Sequence, residues 1–278
     1  MQSTLALSVP RRNRSRSRLH IALIDVIAGI QALNIWGRLG WRDTKRRYRR
    51  TLFGPFWSTV SLGLFVVSLG LLWANLWGQN VKTYLPYLTS GMLCWALFSA
   101  ICTEGCASFV AQELLIKQLR ISYTLLACAT VWRNVIVFFH NIIIYVMVGL
   151  YGGVPVTWAT LLVVPGFALL WLNMIWIATL LGAACTRYRD IQQLISNLLQ
   201  ISLFLTPIFW TPEQLKGRMA ILVTYNPLYH FIDIVRGPLL GNAPNLLEWI
   251  VVLGITLTGW AVTIVVMNKF RHRIAYWL

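Results

Sequence analysis

An all-α polytopic membrane protein is the fold the sequence predicts: six transmembrane helices, an N-terminal interfacial helix, and short re-entrant helices between the fifth and sixth spans. Three observations carry that prediction. Of 278 residues, 58% are hydrophobic and only 12% charged, with a mean hydropathy of +0.65, against roughly 25% charged in a soluble domain. The apolar residues come in runs of bilayer length. The cations gather at the ends of those runs, as membrane topology requires.

The net charge of +16 and the isoelectric point near 10.3 do not point to nucleic acid, because no basic module with a groove-reading motif is present. The arginine-rich start (Arg11, Arg12, Arg14, Arg16, Arg18) leads to no small-residue cleavage site and reads as a retained cytoplasmic tail. The chain divides into that tail (1–20), an interfacial helix with a basic segment (21–52), and a six-span unit (53–278). Cys94, Cys102, Cys106, Cys128 and Cys185 lie in or beside apolar runs without a Cys-x-x-Cys pair, and the 4 histidines are scattered. Buried small apolar residues are the reading for these cysteines, and no metal site is expected.

Residues 21–36 are apolar but shorter than the roughly 20 residues a span needs, and they carry Asp25, Gln31 and Asn34. Crossing here would also put two arginine-rich blocks on opposite faces, so the segment is read as interfacial. Lys45, Arg46, Arg47, Arg49 and Arg50 follow, abutting the first span without a linker. Such a block anchors the cytoplasmic side and binds anionic lipid headgroups. The spans run over about 54–77, 84–103, 125–150, 158–185, 191–210 and 246–268. Pro55 and Pro86 fall in first helical turns, where a missing N–H costs nothing.

The inner connection 104–123 carries Glu113, Lys117 and Arg120 at helical spacing, which predicts a short surface helix with those charges on one face. Between spans five and six, Pro212, Gly217, Pro227, Gly237, Pro238, Gly241 and Pro244 break the chain. The apolar pieces left, 219–224 and 228–240, are too short to cross and fit half-helices dipping back into the membrane. Only Lys82, Lys216, Arg218 and Arg236 of the 24 Lys and Arg residues fall on the outer side of this topology. Both termini are therefore expected in the cytoplasm.

Catalytic chemistry finds little support. None of the 8 acids sits mid-span, where a proton- or ion-coupled carrier would keep one. His140 and Asn141, midway along the third span, are read as an interhelical contact. There is no Gly-x-x-x-x-Gly-Lys-Ser/Thr phosphate loop, so any ATP must be bound by another chain. Two polar stripes stand out at about 100° per residue. Trp57, Ser61, Ser68 and Asn75 share one side of the first span, and Gln193, Asn197, Gln200 and Phe204 gather on the fifth. Helix–helix contact and a lining for a hydroxyl-rich substrate both account for them. The tryptophans near span ends (Trp73, Trp77, Trp158, Trp210, Trp249) read as interface belts.

Five motifs, in order, carry a resemblance: Asp43…Arg47-Tyr48-Arg49…Gly54…Trp57; Arg187-Tyr188-Arg189-Asp190; Thr206-Pro207-Ile208-Phe209-Trp210; Tyr225-Asn226-Pro227-Leu228…Arg236; and Arg273-Ile274-Ala275-Tyr276-Trp277-Leu278. Over about residues 40–278 the chain resembles the permease subunit of type-2 ABC exporters for polysaccharides, and its ending resembles the O-antigen branch. The resemblance implies a homodimer in the bacterial inner membrane with two ATP-binding subunits, which hold ATP and Mg²⁺; this chain binds no cofactor. It implies a glycan channel along the two stripes and an outer gate at Tyr225, Asn226, Tyr229, Asp233 and Arg236. It implies that Glu113, Lys117 and Arg120 couple to the ATPase. The substrate would be a glycan on polyprenyl diphosphate, with Arg46, Arg47, Tyr48, Arg49 and Arg50 at the mouth of the first span receiving the diphosphate. A type-2 exporter of a drug or lipid is the alternative; a membrane glycosyl- or acyltransferase lacks the clustered acids or histidines it would need.

Overall fold

The computed structural model of the chain describes residues 18–49, 52, 54, 56–119, 121–214 and 220–278. The arginines at 11–16, Arg50, Pro55, Arg120, Lys216 and Arg218 lie outside the described residues, and with them part of the basic gate, the coupling face and the charge count. Every regular element among the described residues is helical.

Helices α1 (Arg18–Gln31) and α2 (Leu33–Arg47) meet at a bend of 63°. This corrects the single interfacial helix over 21–36: the helix restarts after Ala32 and takes in most of the basic segment. Two glycines permit the docking of this pair. A Cβ at Gly29 would sit 2.6 Å from Ser122 Oγ, and one at Gly40 would sit 2.8 Å from the Ala129 carbonyl oxygen. These contacts fall in the first third of α6 (Tyr123–Gly152), so the pair lies along one end of the bundle.

Among the described residues, five helices are long and apolar enough to cross a membrane: α3 (Phe56–Leu76), α4 (Val81–Ala107), α6, α7 (Val163–Arg187, preceded by a 3₁₀ turn at Trp158–Leu162) and α11 (Leu246–Trp277). The centre of the bundle is α4, which packs on α3, α6, α7, α8 and α10. Its small and hydroxyl residues Thr89, Ser90 and Gly91 are buried, and both hydroxyls bond to carbonyls of their own helix. By contrast α3 is the least buried span. Asn141 ties it to α6, accepting at Oδ1 from Thr59 Oγ1 at 3.0 Å. His140, whose Nδ1 meets the Ile136 carbonyl of its own helix, also reaches α3, its ring edge-on to Phe56 at 5.4 Å between centroids.

The fifth span is shorter than expected. Helix α8 (Ile191–Leu205) measures about 22 Å at 1.5 Å per residue, against a hydrocarbon core of about 30 Å. It stops before Pro207, whose ring disfavours helical backbone at Thr206. The chain then runs irregularly to a 3₁₀ turn at Pro212–Gln214, followed by α9 (Ala220–Tyr225) and α10 (Pro227–Leu239). Phe231 of α10 stacks on Phe98, well past the middle of α4, while the Leu239 carbonyl accepts from the Tyr145 hydroxyl in the last turns of α6. Helix α10 therefore rises from the interior of the bundle towards its far end, as a re-entrant helix does.

At the other end, α4 continues through Glu104 to Ala107, which corrects the inner connection from 104 to the residues after Ala107. A 3₁₀ turn (Val110–Gln112) and α5 (Glu113–Gln118) complete it. Helix α11 likewise runs past Asn268 through Lys269, Arg271 and Arg273 to Trp277.

Candidate functional site

The irregular segment after α8 has carbonyls at membrane depth without helical partners, and broken backbone there must be covered by protein. Three side chains cover it. Tyr84 of α4 donates its hydroxyl to the Phe209 carbonyl. The Tyr87 hydroxyl lies 3.0 Å from the Pro207 carbonyl oxygen and 3.1 Å from that of Trp210. Arg236 donates Nη1–H to the Pro207 carbonyl at 2.6 Å and Nη2–H to Asp233 Oδ1 at 2.7 Å. Its guanidinium also stands 4.4 Å from the Tyr87 ring centroid. Of the expected gate residues, Asp233, Arg236 and Tyr229 gather in this cluster, with Tyr229 5.6 Å from the guanidinium. Arg236 is 2% exposed, so it holds this cluster from within. Asn226 caps α10 and donates Nδ2–H to Thr206 Oγ1 at 3.1 Å, linking α10 to the end of α8. Tyr225 is exposed.

A charge network closes the opposite end. Glu104 of α4 accepts from Arg133 Nη2 at 2.6 Å, Arg133 Nε at 3.1 Å, and Asn134 Nδ2 at 2.7 Å. Its other oxygen meets Arg47 Nη1 at 2.6 Å, and Asp43 lies 3.9 Å from Arg133. Arg47 is therefore tied to the bundle, whereas Arg46 and Arg49 of the expected diphosphate gate are exposed and Tyr48 is half-buried. Glu104 and Arg133 also line a cleft of about 90 Å³ with Ser108 and Gln112. The sequence held a signal for this network: an arginine inside a span, Arg133, needs an acid partner.

All eight stripe residues are exposed on the single chain: Trp57, Ser61, Ser68 and Asn75 on α3, and Gln193, Asn197, Gln200 and Phe204 on α8. Asn75 Nδ2 donates to the Leu71 carbonyl and Gln193 Nε2 to Asn197 Oδ1. Nothing on α8 is buried, so its polar side is not a contact within this chain. On α5, Lys117 and Glu113 pair across one turn at 2.5 Å. No group of three His, Cys, Asp or Glu side chains among the described residues could hold a metal ion.

Residues 36–240 match the family described as ABC-2 type transporter. The chain belongs to that family. Among its relatives, the O-antigen export system permease protein RfbA of Klebsiella pneumoniae is 24% identical over 241 residues, covering 84% of this chain and 91% of the relative. The protein of the same name from Myxococcus xanthus is 25% identical over 190 residues, covering 67% and 73%. As an ABC-2 transporter the chain is a multi-pass membrane protein with a transport role, and the absence of a phosphate-binding loop agrees with a family whose membrane subunits work with an ATP-binding subunit. The family match spans α2 from Trp36 to the end of α10, and so takes in the charge network around Glu104, both stripes and the Arg236 cluster.

Proposed function

We propose that this chain is the transmembrane subunit of an ATP-driven exporter that moves a lipid-linked, O-antigen-like polysaccharide from the cytoplasmic to the outer face of the inner membrane. Two copies pair, and two ATP-binding subunits, holding ATP and Mg²⁺, dock on α5 beneath them. The observation that carries this reading is the outward polar stripe on two apolar helices, α3 and α8. Hydrogen-bonding side chains at bilayer depth need water or protein beside them. A second copy facing these stripes would enclose a wet passage suited to a hydroxyl-rich chain, with Trp57 and Phe204 offering flat faces to sugar rings. The relatives named as O-antigen export permeases support the choice of cargo.

At the cytoplasmic mouth, Arg46 and Arg49 receive the anionic diphosphate through charge-assisted hydrogen bonds, beside the surrounding lipid headgroups. Arg47 and Arg50 stand in the same block, and Arg47 shares its charge with Glu104. ATP-driven closure of the partner subunits pushes on Glu113, Lys117 and Arg120, and the Arg236-braced gate opens outward. Deleting the gene should leave lipid-linked glycan on the cytoplasmic face, and the purified chain should bring an ATPase subunit with it. Normal surface polysaccharide after deletion, or a chain active without any ATPase, would refute the proposal.

A further inference from the structure

The carboxylate of Asp25 is enclosed in the protein, its side chain 0% exposed. A buried carboxylate is tolerated only when paired and hydrogen-bonded, and here every partner comes from another element. Arg271 Nε of α11 donates to Oδ1 at 2.8 Å. Oδ2 faces Ser122 Oγ at 3.1 Å, Thr124 Oγ1 at 3.3 Å and the Thr124 backbone N–H at 3.4 Å. Ser122 is the N-cap of α6, its Oγ accepting from the Leu125 N–H. One turn beyond Asp25, Gly29 lets the α1 backbone press on the same cap.

The pair reaches both ends of the segment 110–121. Ser122 and Tyr123 follow that segment directly. The Arg271 guanidinium stands 5.8 Å from the Tyr123 ring centroid, and Tyr123 lies 5.3 Å from the ring of Phe109, the residue just before the segment. Phe109 is fully buried. Between these anchors the 3₁₀ turn Val110–Gln112 and α5 bury no residue, and Leu114 and Leu119 are exposed. Leu115, Ile116 and Ile121 are half-buried against the core and α5 touches α11, so the segment is seated on one shallow face and held at its two ends.

We infer that the Asp25–Arg271 ion pair is a positioning clamp that fixes both ends of segment 110–121 against α1 and α11, so that displacement of the segment is passed to the spans. The inference rests on the reading of α5 as the docking element for an ATP-binding subunit. A loosened clamp lets the segment yield locally, and ATP is then hydrolysed without moving cargo.

The test uses the chain in complex with its ATP-binding subunit and two readouts: ATP hydrolysed per glycan exported, and amide hydrogen exchange across 110–121. Asp25→Asn keeps an acceptor for Ser122 and Thr124 but gives up the charge that holds Arg271. In that variant the ATP cost per glycan should rise about tenfold and exchange across 110–121 should quicken about tenfold, with the complex still assembled. Wild-type values of both in the assembled variant overturn the clamp. Should Asp25→Asn fail to accumulate, Arg271→Gln is read in the same way, and Arg271→Lys, which restores a cation, should recover part of both readouts. Hydrogen exchange needs no cargo, so a wild-type complex that exports no glycan defeats the proposed function alone, and the exchange comparison still decides the clamp.

Discussion

Arg236 and Pro207 lie 29 residues apart, yet the Arg236 guanidinium donates to the Pro207 carbonyl at 2.6 Å and so joins α10 to the break after α8. The same group holds Asp233 and faces Tyr87 and Tyr229. One side chain thus neutralises a carboxylate and covers a backbone acceptor where water is scarce.

Removing this arginine leaves the Asp233 carboxylate without its cation and takes one of two donors from the Pro207 carbonyl. Arg236→Ala should cost about 3–5 kcal/mol, the usual penalty for breaking a buried ion pair from one side. Arg236→Lys should fall between, because an ammonium lacks the planar fork that serves Asp233 and Pro207 together. Thermal unfolding of the detergent-solubilised chain gives the order wild type, Lys, Ala; an Ala variant as stable as wild type would show that the cluster holds nothing in place.

Glu104 has a strong arm and a weak one. Arg133, 20% exposed at its side chain, should couple to Glu104 by about 1.5–3 kcal/mol. Arg47, 49% exposed, should couple by no more than about 1 kcal/mol. Double-mutant cycles with Glu104→Gln measure both. The inequality bears on the diphosphate gate: loss of so weak a pair leaves most complexes intact, so a full export block in Arg47→Gln with normal assembly is the mark of diphosphate recruitment. Export at wild-type level in Arg47→Gln removes Arg47 from the gate.

The spans were legible because bilayer length and charge placement are properties of composition, and the re-entrant pieces expected over 219–224 and 228–240 match Ala220–Tyr225 and Pro227–Leu239 closely. The end of α8 was also written in the sequence, in the rule that helices stop before proline, but the continuous apolarity of Thr206–Trp210 obscured it. The 63° bend at Ala32 has no local breaker; it follows from where α6 offers Ser122 and Ala129 to Gly29 and Gly40, a tertiary matter. Asp25 counted in the sequence only against a span, because its partner, Arg271, is 246 residues away. The stripes were found by periodicity alone, and their exposure on the single chain is what separates them from packing inside it.

Close approach makes two glycines behave oppositely. A Cβ at Gly166 of α7 would sit 2.4 Å from the Ile234 carbonyl oxygen, and backbone cannot rotate away. Gly166→Ala should cost about 1–3 kcal/mol by overpacking and push α10, with Arg236, off its seat. At Gly63 of α3 the nearest atom is Ile144 Cδ1 at 3.7 Å, so Gly63→Ala should be neutral or stabilising by up to about 1 kcal/mol. Unfolding temperatures moving together in the two variants would contradict the packing of α7 on α10.

Water along the stripes can be read with thiols. All five native cysteines are buried, so their background with a charged methanethiosulfonate reagent should be low. The reagent attacks the thiolate, which forms only where water reaches the sulfur. Ser68→Cys on α3 and Gln200→Cys on α8 should therefore react in native membranes at least about tenfold faster than Leu257→Cys, which sits exposed on the apolar surface of α11. Coexpressed ATP-binding subunit locked closed should change the two stripe rates and leave Leu257→Cys unmoved. Equal slow labelling at all three positions would mean that the polar side chains of α3 and α8 meet protein or lipid, and the passage would have to lie elsewhere.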